Sequence, residues 1–128
     1  MLGGAGTFFW QKDLTMIMIG TMTFTAECAM AVAENYGKVP AVPGFMKLIG
    51  PYVRSSIENG ISTISIYEFD EARADAAIDY LNQRYATFAA IAGVSSHIEE
   101  WLGIDMVMQL LDETHSVTAA LEAVSFRI

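Results

Sequence analysis

The alternation of apolar and polar positions along the chain predicts strands and helices in a repeated order. Strands are expected at residues 14–25, 45–56, 61–70 and 94–102, which are rich in β-branched and apolar side chains. Helices are expected at residues 26–36, 71–92 and 106 to about 125. The succession β-α-β-β-α-β predicts an α+β fold, a ferredoxin-like antiparallel sheet with a C-terminal helical extension.

The strands are expected to hold different places in the sheet. Residues 14–25 form an almost unbroken apolar run, which predicts a central strand buried on both faces. Pro51 lacks a backbone donor and places residues 45–56 at an edge. Asp70 is a good cap for the long helix. The core stripe of that helix is expected to be Ala74, Ile78, Leu81, Tyr85 and Phe88.

The length of 128 residues suits one domain, which we place at residues 14–128, with residues 106–128 as the helical extension. Residues 1–13 stand apart as an N-terminal arm, because they combine glycines with three adjacent aromatic side chains.

Register in the sheet follows from one turn signal. Asn59-Gly60 is typical of a two-residue hairpin loop with positive φ at both positions. Pairing outward from that loop places Tyr52 opposite Tyr67 and Arg54 opposite Ser65. The strands then have one aliphatic face and one mixed face, because side chains alternate along each strand.

We expect the helices to cover the aliphatic face, since helices bury aliphatic surface well. Its residues are Ile49, Val53, Ile64, Ile66, Ile98 and Leu102. The mixed face carries Tyr52, Arg54, Ser65, Tyr67, Phe69, His97, Glu99 and Trp101. With no helix left to cover it, this face is too apolar to stand in water alone. We therefore expect a homodimer through the open sheet face, enclosing a cavity for a small molecule.

Composition narrows the function classes. The chain is 53% hydrophobic with a net charge of −8, which excludes disorder and disfavours nucleic-acid binding. No apolar stretch reaches the length of a membrane span, so no membrane association is expected. The N-terminus has no cationic flank before its short apolar stretch, so we expect a cytoplasmic protein. The single cysteine, Cys28, excludes an internal disulfide.

Pro43-Gly44-Phe45, the hairpin, the strand ending at residues 67–70 and the capped helix together resemble the dimeric α+β barrel superfamily. That superfamily includes antibiotic-biosynthesis-type monooxygenases and stress-responsive barrel proteins, and the resemblance spans about residues 16–102. It implies homodimers that pack through open sheet faces, with activities that include cofactor-free oxygenation and isomerisation. The monooxygenase branch often has Trp after the third strand and His near the second helix. This chain has Phe69 and no histidine in residues 71–92.

His97 and Glu99 are the candidate catalytic pair, because alternate positions on a strand share a face. Glu99 could orient His97 as a general base, and Arg54 or Tyr67 could stabilise an oxyanion. The alternative is that the pair is a solvated or dimer-rim contact, with Tyr and Trp side chains filling the interface. His97 and Glu99 supply only two metal ligands, and the others would have to come across the dimer, so no metal is expected. The glycines at residues 3–6 precede any strand and lack the context of a nucleotide-binding loop, so no cofactor is expected.

The sequence thus favours a small homodimeric domain that binds a partly aromatic or apolar molecule in an open-face cavity. The ligand-binding residues are expected to be Tyr52, Arg54, Tyr67 and Trp101. One alternative is a cofactor-independent monooxygenase or isomerase with His97 as the base. The other is a non-catalytic interaction module with a filled interface.

Overall fold

A computed structural model describes residues 14–114 of the chain. The strands are β1 (Thr15–Phe24), β2 (Met46–Ser56), β3 (Gly60–Asp70) and β4 (Ser95–Leu102). The helices of this part of the chain are α1 (Ala29–Tyr36), α2 (Ala74–Ala89) and α3 (Ile104–Thr114). The predicted succession of strands and helices is confirmed, and it is compatible with a ferredoxin-like fold. The arm expected at residues 1–13 and the extension beyond residue 114 lie outside the described residues.

The four strands form one antiparallel sheet in the order β2-β3-β1-β4. The predicted central position of β1 and the predicted edge position of β2 are both confirmed. β2 and β4 are the edge strands, so β1 and β3 separate them.

Only one face of β1 is buried, so the prediction of burial on both faces is wrong. Met16, Met22 and Phe24 are buried, whereas Ile17 and Ile19 on the opposite face are half-buried. The reason is that α1 and α2 pack on the same side of the sheet. We call the side turned away from these two helices the open face.

The core lies between the sheet and the two helices. Its two clusters contain Met16, Met22, Phe24, Val32, Met46, Tyr67, Phe69, Ala77, Tyr80, Leu81 and Phe88. Leu81 and Phe88 of the predicted α2 stripe are confirmed, but Ile78 is exposed. Ala77 and Tyr80 take its place, because the buried stripe is rotated slightly around the helix.

The β2–β3 turn has one residue more than the sequence predicts. Ser56 pairs with Gly60, so residues 57–59 form a three-residue loop. Gly60 has a φ of +73°, the left-handed conformation that closes such loops. The amide of Asn59 donates to the Ser56 hydroxyl at 2.9 Å. The predicted pairing of Tyr52 with Tyr67 is therefore wrong, and Tyr52 pairs with Ile64.

A bulge in β2 shifts the register once more. Ile49 pairs with Ile66 and Tyr52 with Ile64, so Gly50 and Pro51 together oppose a single residue of β3. Gly50 has a φ of +93°, which favours glycine in a bulge. Without this bulge, Tyr52 would lie on the helix-covered side.

The assignment of β3 faces is reversed. Tyr67 and Phe69 lie under α2, and Tyr67 has no exposed surface. Ile64 and Ile66 alternate with them and lie on the open face. The larger Tyr, Phe and Met side chains bury more area against helices than isoleucines do, which explains the reversal.

Asp70 caps the turn that leads into α2, as predicted. Its carboxylate accepts the Ala72 amide at 3.0 Å, and a 3-10 turn at Glu71–Arg73 precedes the helix. The cap fixes where the chain leaves β3, and so helps to place α2 on one face of the sheet.

Candidate functional site

The open face is defined by the register of the four strands. Four rows of side chains run across it from β2 to β4. From one end of the strands to the other, they are Arg54–Ser62–Thr23–Ser95, Tyr52–Ile64–Thr21–His97, Ile49–Ile66–Ile19–Glu99 and Lys47–Glu68–Ile17–Trp101. Neither α1 nor α2 covers these rows.

The rows divide the open face into two halves of different chemistry. The first two rows contain serine and threonine hydroxyls with Tyr52, Arg54 and His97, and we call them the hydroxyl half. The last two rows contain isoleucines and Trp101, and we call them the apolar half, although Lys47, Glu68 and Glu99 occupy some of its positions.

A hollow of about 420 Å³ lies in the hydroxyl half. It is lined by Thr21, Thr23, Tyr52, Val53, Arg54, Ser62, Thr63 and Ile64. This lining combines an aromatic ring and aliphatic carbons with hydroxyls and one guanidinium. Such a mixture suits a small molecule that has an apolar body and a few polar groups.

A second hollow, of about 320 Å³, lies at the opposite end of the β2–β3 pair. Its lining includes Phe45, Lys47, Glu68 and Asp70. Lys47 and Glu68 are directly paired across the two strands. A basic and an acidic side chain directly opposite each other favour this pairing of the strands. Lys47 and Glu68 are therefore explained by strand pairing, without a ligand.

His97 and Glu99 form an ion pair on β4 when the imidazole is protonated. His97 Nε2 lies 3.4 Å from Glu99 Oε2, and the side chains are 67% and 57% exposed. The Thr21 hydroxyl donates to the His97 carbonyl at 3.4 Å. The carboxylate can orient the imidazole, but at this exposure water competes for both groups.

The site residues expected from the sequence do not converge within one chain. Tyr52 and Arg54 lie on β2, whereas His97, Glu99 and Trp101 lie on β4. Two strands separate these edges, which puts the edges about 14 Å apart across the sheet. All five residues are on the open face. A molecule bound in the hollow of one chain would contact Tyr52 and Arg54 but not the three residues on β4.

Tyr67 is not on the open face, so its expected place beside the ligand is wrong. Its hydroxyl hydrogen-bonds the Tyr85 hydroxyl at 2.9 Å, beneath α2. The two rings meet edge to face with centroids 6.4 Å apart. Tyr67 therefore belongs to the core between sheet and helix.

The structure reveals a buried polar cluster around Arg84 that the sequence analysis missed. Arg84 is only 6% exposed, and its Nη1 donates to the Tyr80 hydroxyl at 3.2 Å. Its guanidinium lies 5.6 Å from the centroid of the Tyr67 ring. The Tyr80 hydroxyl in turn donates to the Pro40 carbonyl at 2.8 Å. The spacing of residues along the helix could have predicted this burial. Arg84 follows Leu81 by three residues and precedes Phe88 by four, so it lies on the buried stripe.

Burial changes the titration of two tyrosines in this region. Desolvation, reinforced by the hydrogen bond to Tyr67, raises the pKa of Tyr85 well above its ordinary value. Desolvation also raises the pKa of Tyr36, with the charge of Arg84 opposing the shift. Both phenols are therefore held in their neutral form.

Within residues 14–114, no three His, Cys, Asp or Glu side chains are grouped so that they could hold a metal ion. None of the described helices is both long enough and apolar enough to span a bilayer.

Comparisons with known proteins give no family for this chain. No family model matches it, and no curated protein does. Among solved structures, it is similar to a de novo designed protein, Foldit4, with 7% identity and a TM-score of 0.44. That match covers 71% of this chain and 99% of the designed one.

Proposed function

We propose that this protein is a homodimer that binds a small, partly aromatic molecule in the hydroxyl half of its open face. In this proposal the sheet is ferredoxin-like, and two copies pack as a dimeric α+β barrel. The observation that carries the proposal is the segregated open face, in which a hollow of mixed polar and apolar lining lies directly beside an apolar surface that neither α1 nor α2 covers.

The apolar half supports the expectation of a second copy. Trp101 is 52% exposed, and Ile17, Ile19 and Ile66 lie in adjacent positions of the same face. The three isoleucines are half-buried within the chain, so a cover would remove only their remaining exposed surface together with about half of Trp101. An identical apolar surface is a suitable cover for this group.

α3 begins beside this surface and extends it. A Cβ at Gly103, just before the helix, would lie 3.9 Å from Ile17 Cδ1. Ile104 and Met108 on α3 are both largely exposed. More apolar surface is thus available near the end of the sheet at which the apolar half lies.

Sedimentation velocity of Trp101→Lys tests the assembly. We expect wild-type protein to sediment as a dimer at micromolar concentration and Trp101→Lys as a monomer, because a buried lysine would be desolvated. The matched control is Ile78→Lys on α2, since Ile78 is also a partly exposed apolar residue but lies away from the open face. A monomeric wild-type protein, or equal loss of dimer in both variants, would contradict the assembly.

The hollow is tested by ligand binding. We expect calorimetry with a panel of small phenols and aromatic ketones to detect binding that Tyr52→Ala weakens about tenfold, since the ring supplies much of the apolar contact. Ile57→Ala, in the exposed turn, is the control. If the protein is a dimer but binds none of these compounds, the result would favour the alternative of a non-catalytic interaction module with a filled interface.

A second candidate is a cofactor-independent monooxygenase or isomerase, and the 3.4 Å approach of Glu99 to His97 favours it. His97 would act as the general base. Arg54 lies on the opposite edge of the sheet, so it would stabilise the oxyanion formed when a proton leaves the substrate only if it came from the second chain of the dimer. Loss of phenol turnover in His97→Ala would support this activity, and unchanged turnover would remove it.

A further inference from the structure

A layer of polar side chains crosses the core between its two apolar clusters. Along α2, Arg84 lies between Leu81 of one cluster and Phe88 of the other. Along β3, Thr63 and Ser65 face the helices between the same two clusters, and both are buried. Polar groups in a core need hydrogen-bond partners, and a charged group also needs a counter-charge.

Arg84 carries a positive charge that no carboxylate in residues 14–114 balances. Its side chain is buried, and it forms no ion pair with an aspartate or glutamate of this part of the chain. The groups that act electrostatically on the guanidinium are the phenols of Tyr67, Tyr80 and Tyr85. Phenols are uncharged near neutral pH. A buried charge without a counter-charge is costly, and a bound anion would remove this cost.

The hydrogen bonds of Arg84 leave one edge of its guanidinium unused. Nη1 donates to the Tyr80 hydroxyl at 3.2 Å, whereas Nε and Nη2 donate to no atom of residues 14–114. Neither nitrogen is among the sealed side-chain atoms that lack a partner, so both retain some accessible surface. Nε and Nη2 direct two parallel N–H bonds outward from the same edge, which matches the two oxygens of a carboxylate.

We propose that this edge of Arg84 binds the carboxylate of a small organic acid. One carboxylate balances the single charge of the guanidinium, whereas a phosphate dianion would leave an excess negative charge in the core. Tyr80 holds the guanidinium from its other side and is itself held by the Pro40 carbonyl, to which it donates at 2.8 Å. The edge is therefore oriented before an anion binds.

This site is separate from the hollow of the open face, because Arg84 lies on the side of the sheet that the helices cover. It is complete within one chain, so it does not depend on the proposed dimer.

Titration with sodium acetate at constant ionic strength, followed by the NMR resonances of the backbone amides, tests the site. We expect acetate to bind wild-type protein more tightly than inorganic phosphate, and its neutral counterpart acetamide not to bind. Arg84→Gln should weaken acetate binding at least about tenfold, because the charge and the two parallel donors are lost. The matched control is Arg73→Gln, an exposed arginine in the turn before α2, which should bind acetate as wild type does.

A measurement on wild-type protein makes the test independent of whether Arg84→Gln folds. With 15N in the arginine side chains, acetate should shift the Nε resonance of Arg84 and leave that of Arg73 in place. An unmoved Arg84 resonance, or equal acetate binding by a folded Arg84→Gln, would overturn the proposal. A shift of Arg54 instead would place the anion in the hollow, which overturns this site but not the proposed function. Tighter binding of phosphate than of acetate would overturn the assignment to a carboxylate.

Discussion

At the scale of single residues, the centre of the sheet has a gap that one tyrosine fills. Gly20 pairs with Ser65 on the side that faces the helices, and a Cβ at Gly20 would overlap the Tyr85 hydroxyl. A small residue is therefore needed in β1 at this position, so that the Tyr85 ring can reach Tyr67. The reason for this glycine lies on α2, sixty-five positions along the chain, and not in its own strand.

The tyrosines under α2 should make stability depend on alkaline pH. The pKa of Tyr85 is raised in the folded state by burial and by Tyr67, so its contribution is complete below about pH 10 and is lost as the pH rises further. Above that pH, each such group lowers the free energy of unfolding by about 1.4 kcal/mol per pH unit.

Urea unfolding at pH 8, 10 and 11 measures this effect. We expect Tyr85→Phe to be less stable than wild type at pH 8, by about 1 kcal/mol for the lost hydrogen bond, but to lose less stability between pH 10 and 11. Parallel curves for wild type and Tyr85→Phe would contradict the role of Tyr85.

At the scale of secondary-structure elements, the β2–β3 hairpin sets which side chains reach the open face. The three-residue loop and the bulge at Gly50 each change the register. A shift of one residue moves every side chain to the other face. Tyr52 and Arg54 reach the expected face, but by a register different from the one that the turn signal predicts.

Gly60 should be the sensitive residue of that hairpin. Its φ is +73°, and an added Cβ would lie 2.7 Å from the Phe24 carbonyl oxygen. We expect Gly60→Ala to lower the free energy of unfolding by more than about 1 kcal/mol, through both backbone strain and this contact. Chemical denaturation measures the change.

Gly44→Ala is the matched control, because a Cβ at Gly44 would meet no atom within 4 Å. That substitution should be neutral within about 0.5 kcal/mol, or slightly stabilising, since it restricts the unfolded chain. Equal destabilisation of the two variants would show that the conformation of Gly60 is not what stabilises the turn.

At the scale of the whole molecule, the chain buries one face of its sheet and leaves the other face uncovered by α1 and α2. If the chain forms the proposed dimer, its stability depends on the protein concentration, because association favours the folded chains by mass action. Differential scanning fluorimetry should therefore show Tm rising by several degrees between about 1 and 100 micromolar protein. In Trp101→Lys the Tm should not change with concentration, and a constant wild-type Tm would contradict the dimer.

The sequence by itself determined the order of the elements, the cap at Asp70, the edge position of β2 and the alternation along β4. These features depend on local chemistry, namely the period of apolar residues, a side-chain oxygen near a helix start, and a proline without a donor. The sequence also determined that His97, Glu99 and Trp101 share a face, because side chains alternate along a strand whichever strands lie beside it.

Only the tertiary structure decided which face of the sheet the helices cover, and with it the place of Tyr67. Both faces of β3 are apolar enough to be buried, so the choice depends on how α2 fits over Gly20 and Ser65 and how much surface the tyrosines bury there. The pairing of β2 with β3 was likewise decided by one extra turn residue and one bulge. Such contacts join residues distant in the chain, and the pattern of a single strand contains no information about them.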